Sequence, residues 1–231
     1  MKSFRREHPG SQPPLLHPPY RSTHRRAPLQ PPVVLAATIS ELSGPIFGVT
    51  DVRPGEHDLT RQHAGVPLGQ RIVVSGRVLD ENARPVADSL IELCQANAAG
   101  RYRHDDDRFE APLDPNFTGC GRALTDSNGH YRFITVRPGA YPWRNHFNAW
   151  RPAHIHFSLF GPSIGTRLVT QMYFEGDPLL AYDPIWNSIP DEKARARLVA
   201  AHDWETTEDH HALGYRFDIV LRGHKATPWE G

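Results

Sequence analysis

From residue 70 onward the chain alternates apolar and polar positions in short runs broken by glycine, proline and acidic turns. Residues 71–79 are rich in β-branched side chains and end at Asp80-Glu81-Asn82. Residues 89–95 alternate around Leu90, Glu92 and Cys94, and Asp126-Ser127-Asn128-Gly129 forms a turn signal ahead of residues 130–136. Residues 153–160, 167–174 and 214–221 complete a set of short runs of the kind that pairs side by side. The pattern predicts an all-β fold, an antiparallel β-sandwich with long loops and one or two short helices. The clearest helix signal covers residues 191–203, which follow Pro190 and carry acidic residues in the first turn.

Upstream of these runs the character changes. Residues 1 to about 32 are rich in proline, arginine and histidine and too poor in apolar residues to form a core, so they are expected to be an extended N-terminal arm or disordered. Residues 33 to about 69, with turn signals at Ser43-Gly44-Pro45 and Arg53-Pro54-Gly55, read as a connection. The predicted division is therefore 1–69 for arm and connection and 70–231 for the β domain. Arg25-Arg26 ahead of Val33-Val34-Leu35-Ala36-Ala37 faintly resembles an export signal, but the run is short and prolines interrupt its approach. A cytoplasmic protein is expected.

Composition narrows the function classes. Lysine plus arginine and aspartate plus glutamate are equal at 26 each, so no bulk charge recruits nucleic acid or an anionic membrane. No segment approaches the ~20 apolar residues of a membrane span. The two cysteines, Cys94 and Cys120, are too few for a disulfide framework and lack C-x-x-C spacing, so reduced thiols are expected.

His154-Ile155-His156 is the sharpest chemical signal. On a strand, residues two apart share a face, so the imidazoles sit together while Ala153, Ile155, Phe157 and Leu159 take the opposite, apolar face. The pair could share a cation, or lie on a solvated face with ordinary hydrogen bonds. Zinc would want a third nitrogen, sulfur or carboxylate ligand, and a facial-triad Fe(II) site would want a carboxylate nearby. The neighbourhood offers tyrosines instead, Tyr141 and Tyr102. A phenol titrates near 10 and becomes an anion at neutral pH only beside a strong Lewis acid, for which Fe(III) is well suited. Each tyrosine could equally be a packed aromatic. Spacing alone does not decide.

Tyr141-Pro142-Trp143-Arg144-Asn145 followed by Trp150-Arg151-Pro152-Ala153-His154-Ile155-His156-Phe157 resembles the intradiol ring-cleavage dioxygenases. So do Gln95-Ala96-Asn97, Gly100-Arg101-Tyr102-Arg103-His104, Gln171-Met172-Tyr173-Phe174-Glu175-Gly176-Asp177-Pro178 and Tyr215-Arg216-Phe217-Asp218. The likeness runs from about residue 70 to the end, more weakly through the arm, and is closest to β subunits of the protocatechuate-cleaving branch. It implies a mononuclear, non-haem Fe(III) held by Tyr102, Tyr141, His154 and His156, with Tyr141 leaving the metal as a catechol chelates. It further implies that Arg151 stabilises developing negative charge. Gln171, Trp143 and Ile185 would line the substrate pocket, which Tyr20 would reach from the arm. The partners implied are a catechol, O2 and a homologous α subunit in an αβ hetero-oligomer.

Three positions depart from the family pattern. Cys94 replaces the tryptophan of W-Q-A-N, His146-Phe147 stand where Gly-Pro is usual, and Ala149 replaces an acidic residue. These weaken protocatechuate relative to catechol, hydroxyquinol or another substituted ring. A non-catalytic β-sandwich binding module would show the same strand pattern without the tyrosines and histidines, and an iron-free α subunit would lack the ligand set.

Overall fold

A computed structural model describes residues 7–33, 52–144, 149–161, 164 and 167–230. The expected strands form as β1 (Arg71–Leu79), β2 (Leu90–Cys94), β4 (His130–Val136), β7 (His154–Phe160) and β8 (Leu168–Phe174). Shorter ones appear at β3 (Cys120–Leu124), β5 (Tyr141–Trp143), β6 (Ala149–Arg151) and β9 (Val199–His202). The run at 214–221 divides into β10 (Leu213–Arg216) and β11 (Ile219–Val220). Helical segments are single turns: α1 (Thr23–Arg26), α2 (Pro184–Asn187), α3 (Glu192–Ala196) and 3-10 turns at Leu59–Arg61 and Leu180–Tyr182. Among the described residues no helix is long and apolar enough to cross a membrane.

The main sheet runs β11-β1-β10-β9-β8-β7-β2-β3, with β4 on β1, while β5 and β6 form a separate ribbon. Most pairings are antiparallel, as expected; β1 runs parallel to β10 and β11, and β8 runs parallel to β9. Side chains from the β1–β4–β10 half meet those of the β2–β7–β8 half in one core. There the Phe157 ring lies 5.9 Å from Tyr131, 6.3 Å from Phe133 and 5.3 Å from Phe217. Ile155, Phe157 and Leu159 are fully buried in this cluster, each contributing roughly 1.5–3 kcal/mol by leaving water. The apolar face of β7 thus packs inward and leaves His154 and His156 on the other side.

Two expectations are corrected. The helix predicted over 191–203 is one turn, Glu192–Ala196, capped by the Asp191 side chain, which accepts from Lys193 N. Beyond it, Val199–His202 become β9, which pairs with both β8 and β10 and joins the two halves of the sheet. Ladder bonds and burial of Ala200 against the core outweigh local helix preference. The cysteines are not free thiols: Cys94 and Cys120 oppose each other across β2 and β3, with Cα atoms 4.3 Å apart, and form a disulfide. Chain spacing conceals this pair because antiparallel register, not sequence proximity, brings it together.

The split between β10 and β11 also has a local cause. The Asp218 carboxylate accepts from Arg77 N at 2.9 Å, where a ladder carbonyl would otherwise serve. A Cβ on Gly76 would collide with the Phe217 carbonyl, so only glycine lets the strands approach there.

Candidate metal centre

Loop 97–102 presents Tyr102, and residues 139–140 lead into β5, which opens on Tyr141. Asn97 Oδ1 accepts from the N–H groups of Ala99 and Arg101, and Tyr102 N donates to Asp107 Oδ2 at 2.8 Å. Gly139 N donates to Asn97 O, and Gly100 at φ +80 lies so close to the Ala140 carbonyl that a side chain would not fit. The loops therefore pack edge to edge. They bring the Tyr102 and Tyr141 rings to 5.4 Å at 85°.

Strand β7 supplies the histidines. His154 and His156 rings are 4.9 Å apart, as period-2 geometry requires, and register sets them beside Tyr173 and Gln171 of β8. The Tyr141 hydroxyl lies 3.2 Å from His154 Nε2, and the Tyr102 ring 6.4 Å from that of His156. His154 Nδ1 donates to Pro152 O at 2.7 Å, and His156 Nδ1 faces Glu230 Oε2 at 3.0 Å. An acceptor behind each Nδ1 puts the proton there and leaves Nε2 with the lone pair.

Electrostatics separates these groups. Burial pushes the Tyr102 phenol well above its usual range, and the neighbouring Tyr141 adds to the rise. Burial also raises Tyr141, with Arg151 only partly offsetting it. His154 is held well below its ordinary value by burial, then by the charges of Arg151 and His156, so it is neutral. Among the described residues the buried Tyr102 hydroxyl meets only the Tyr141 hydroxyl, without a hydrogen bond of ordinary geometry. Such an oxygen costs free energy unless something else meets it. Among the described residues no three histidine, cysteine or acidic side chains group to hold an ion, whereas the two phenols stand beside the two imidazoles.

Arg151 enters from the ribbon, where it pairs with Tyr141 in register. It is 2% exposed, donates to Asp183 Oδ2 from Nε at 3.1 Å and from Nη2 at 2.8 Å, and reaches Gln171 Oε1 at 2.5 Å. Burial alone would lower its pKa, but Asp183, Tyr173 and Tyr141 together outweigh it, and the guanidinium stays charged. Its plane lies 5.1 Å over the Trp143 ring, and Trp143 in turn meets Tyr20 at 5.2 Å. Tyr20 is buried, beneath Arg26 at 4.6 Å. Ile185 is buried beside this network, its N–H donating to Asp183 Oδ1. All nine residues singled out from the sequence thus fall in one region. Sequence reasoning missed Asp183, Tyr173 and Glu230. Tyr173 stands two residues after Gln171 on β8 and shares its face, so the periodicity that found the histidines could have found it too.

A family model described as dioxygenase matches residues 42–223, and one described as the N-terminal part of the protocatechuate 3,4-dioxygenase beta subunit matches residues 4–38. The chain is 58% identical over 222 residues to the protocatechuate 3,4-dioxygenase beta chain of Burkholderia cepacia, covering 95% of this chain and 94% of that one. The chain belongs to the intradiol dioxygenase family. It is also 33% identical over 161 residues to the protocatechuate 3,4-dioxygenase alpha chain of Pseudomonas putida, covering 69% of this chain and 75% of that one. In fold it is similar to the 3-chlorocatechol 1,2-dioxygenase of Rhodococcus opacus 1CP. That match has a TM-score of 0.55 at 21% identity, over 83% of this chain and 70% of the other.

Intradiol dioxygenases work with non-haem iron. The position of the family tryptophan is taken by a disulfide on β2, with Cys94 in register with His156. Ala149 opens β6 opposite Trp143. His146 and Phe147 lie outside the described residues.

Proposed function

We propose that this chain is the iron-bearing β subunit of an αβ enzyme that cleaves protocatechuate between its hydroxyl-bearing carbons. Both atoms of O2 enter the product, 3-carboxy-cis,cis-muconate, so the substrate and O2 balance it without a further reductant. In this reading Tyr102, Tyr141, His154 and His156 hold Fe(III). The reading is carried by one observation, the grouping of two phenols and two imidazoles in one largely shielded cluster that, among the described residues, no group of three histidine, cysteine or acidic side chains rivals.

The donor set suits that ion. The Nε2 atoms of two imidazoles and two phenols whose ionisation burial opposes become a good ligand set only beside a hard, highly charged cation, which reverses the local pKa balance of the phenols. The ion, when bound, supplies the Lewis acidity that makes a chelated catechol reactive towards O2. Tyr141, 3.2 Å from His154 and within reach of the Arg151 charge, would hold the ion as a phenolate and would take up a substrate proton at that oxygen. Arg151, fixed by Asp183 and Gln171, faces the developing negative charge without having to reorganise. Trp143, Gln171 and Ile185 wall the pocket. Residues 70–231 carry the site, and the arm within residues 1–69 closes it through Tyr20 on Trp143.

A second reading, the same chemistry on another catechol, draws on the Cys94–Cys120 disulfide where the family has an indole. Steady-state turnover of protocatechuate, catechol and hydroxyquinol separates the two. Protocatechuate is expected to give a kcat/KM at least ~10-fold above the others, because a site built to pair its carboxylate discriminates strongly against rings lacking it. The chain made without an α subunit should turn over far more slowly than the αβ enzyme. Preference for catechol, or full activity of the chain alone, would contradict the proposal.

A further inference from the structure

The segment after β11 folds back over the sheet. Val220 and Thr227 exchange hydrogen bonds, Val220 N to Thr227 Oγ1 at 2.9 Å and Thr227 N to Val220 O at 2.8 Å. Arg197 Nε donates to Ala226 O at 3.0 Å, and Thr170 Oγ1 donates to Pro228 O at 2.6 Å. Glu230 N then donates to Val169 O of β8 at 2.7 Å. From the other side the arm joins in, Gln12 Oε1 accepting from Trp229 N at 2.9 Å. Ala226, Thr227 and Pro228 are buried beneath these bonds. A run of backbone with neither helix nor strand is thus tied at both flanks.

Its outcome is the placement of one carboxylate. Glu230 Oε2 sits 3.0 Å from His156 Nδ1, with both side chains largely shielded from solvent. The two histidines consequently differ. His154 leans on a neutral acceptor, the Pro152 carbonyl, whereas His156 leans on a carboxylate. A carboxylate behind Nδ1 both locks the tautomer and makes Nε2 a stronger donor than a carbonyl does.

We infer that Glu230 is a positioning residue for the metal centre, orienting His156 and raising its donor strength, and that the tail and the arm's Gln12 hold it there. The inference rests on His156 being an iron ligand, as proposed above. It divides the histidines into a weaker donor on β7 at 154 and a stronger one at 156.

The test compares purified wild-type holoenzyme with Glu230→Gln and Glu230→Ala. Iron retention is measured against a competing chelator, the tyrosinate-to-Fe(III) absorption band is recorded, and the thermal midpoint of the metal-free forms is followed. Glu230→Ala is expected to lower iron affinity 10–100-fold, as losing an outer-shell partner does. Glu230→Gln keeps a hydrogen-bond acceptor but loses the charge, so it should retain most of the affinity while shifting the band. The metal-free midpoints should match wild type. If both variants hold iron and absorb as wild type does, Glu230 has no such role. If the alanine variant weakens iron only in proportion to a lower metal-free midpoint and the glutamine variant keeps the wild-type band, the tail is merely structural and the inference fails. A wild-type protein that takes up no Fe(III) would instead overturn the ligand assignment itself.

Discussion

Arg151→Ala is expected to reduce kcat for protocatechuate by 10²–10³-fold and to destabilise the chain by about 3–5 kcal/mol. The two losses have different origins. The kinetic one follows from removing a fixed positive charge beside the reacting ring, of the same order as deleting an oxyanion-hole donor. The stability loss arises because Asp183, 0% exposed, loses the cation that compensates it. A double variant separates them. Arg151→Met with Asp183→Leu replaces the buried pair by apolar groups of similar size, so denaturant unfolding should return to near the wild-type free energy. Its kcat should remain low. Wild-type kcat in the single variant would remove Arg151 from the chemistry, and recovery of kcat in the double variant would mean that Arg151 acts only through stability.

His154→Gln is expected to strip the protein of tightly bound iron. The side chain is 1% exposed, its Nδ1 is committed to Pro152 O, and among the described residues its Nε2 meets only the Tyr141 hydroxyl. Loss of an outer-shell partner alone weakens metal binding 10–100-fold, and loss of a direct ligand should exceed that. Elemental analysis after dialysis against a chelator checks it. Iron should be near one per chain in wild type and close to zero in the variant, with turnover falling in parallel. A variant that keeps its iron would take His154 out of the ligand set.

Much of this site was legible along the chain, for reasons that differ from residue to residue. The period-2 pattern of β7 put Ile155, Phe157 and Leu159 in the core and so placed His154 and His156 together on the far face. Tyr102 sits on a loop and Tyr141 opens the three-residue strand β5, both too short of periodicity to read, and only their surrounding motifs singled them out. Asp183 and Glu230 were hidden because they act 32 and 74 residues away from Arg151 and His156. Nothing local marks such contacts. The same physics misled the reading of residues 191–203, where Val199–His202 owe their strand form to β8 and β10 rather than to their own preferences. Cys94 and Cys120 likewise became partners only through the β2–β3 register. Residues two apart on a strand are predictable from sequence; residues meeting across strands and loops are not.

The central claim is that two phenolates and two imidazoles of this chain hold one Fe(III). It is tested most directly by the visible absorption spectrum of the purified enzyme, recorded with its iron content, for wild type, Tyr102→Phe and Tyr141→Phe. Wild type should carry iron and show a burgundy tyrosinate-to-Fe(III) band. Each phenylalanine variant should change that band, since each removes one of the two phenolates that give rise to it. A colourless protein containing zinc, or variants whose spectra match the parent, would contradict the assignment.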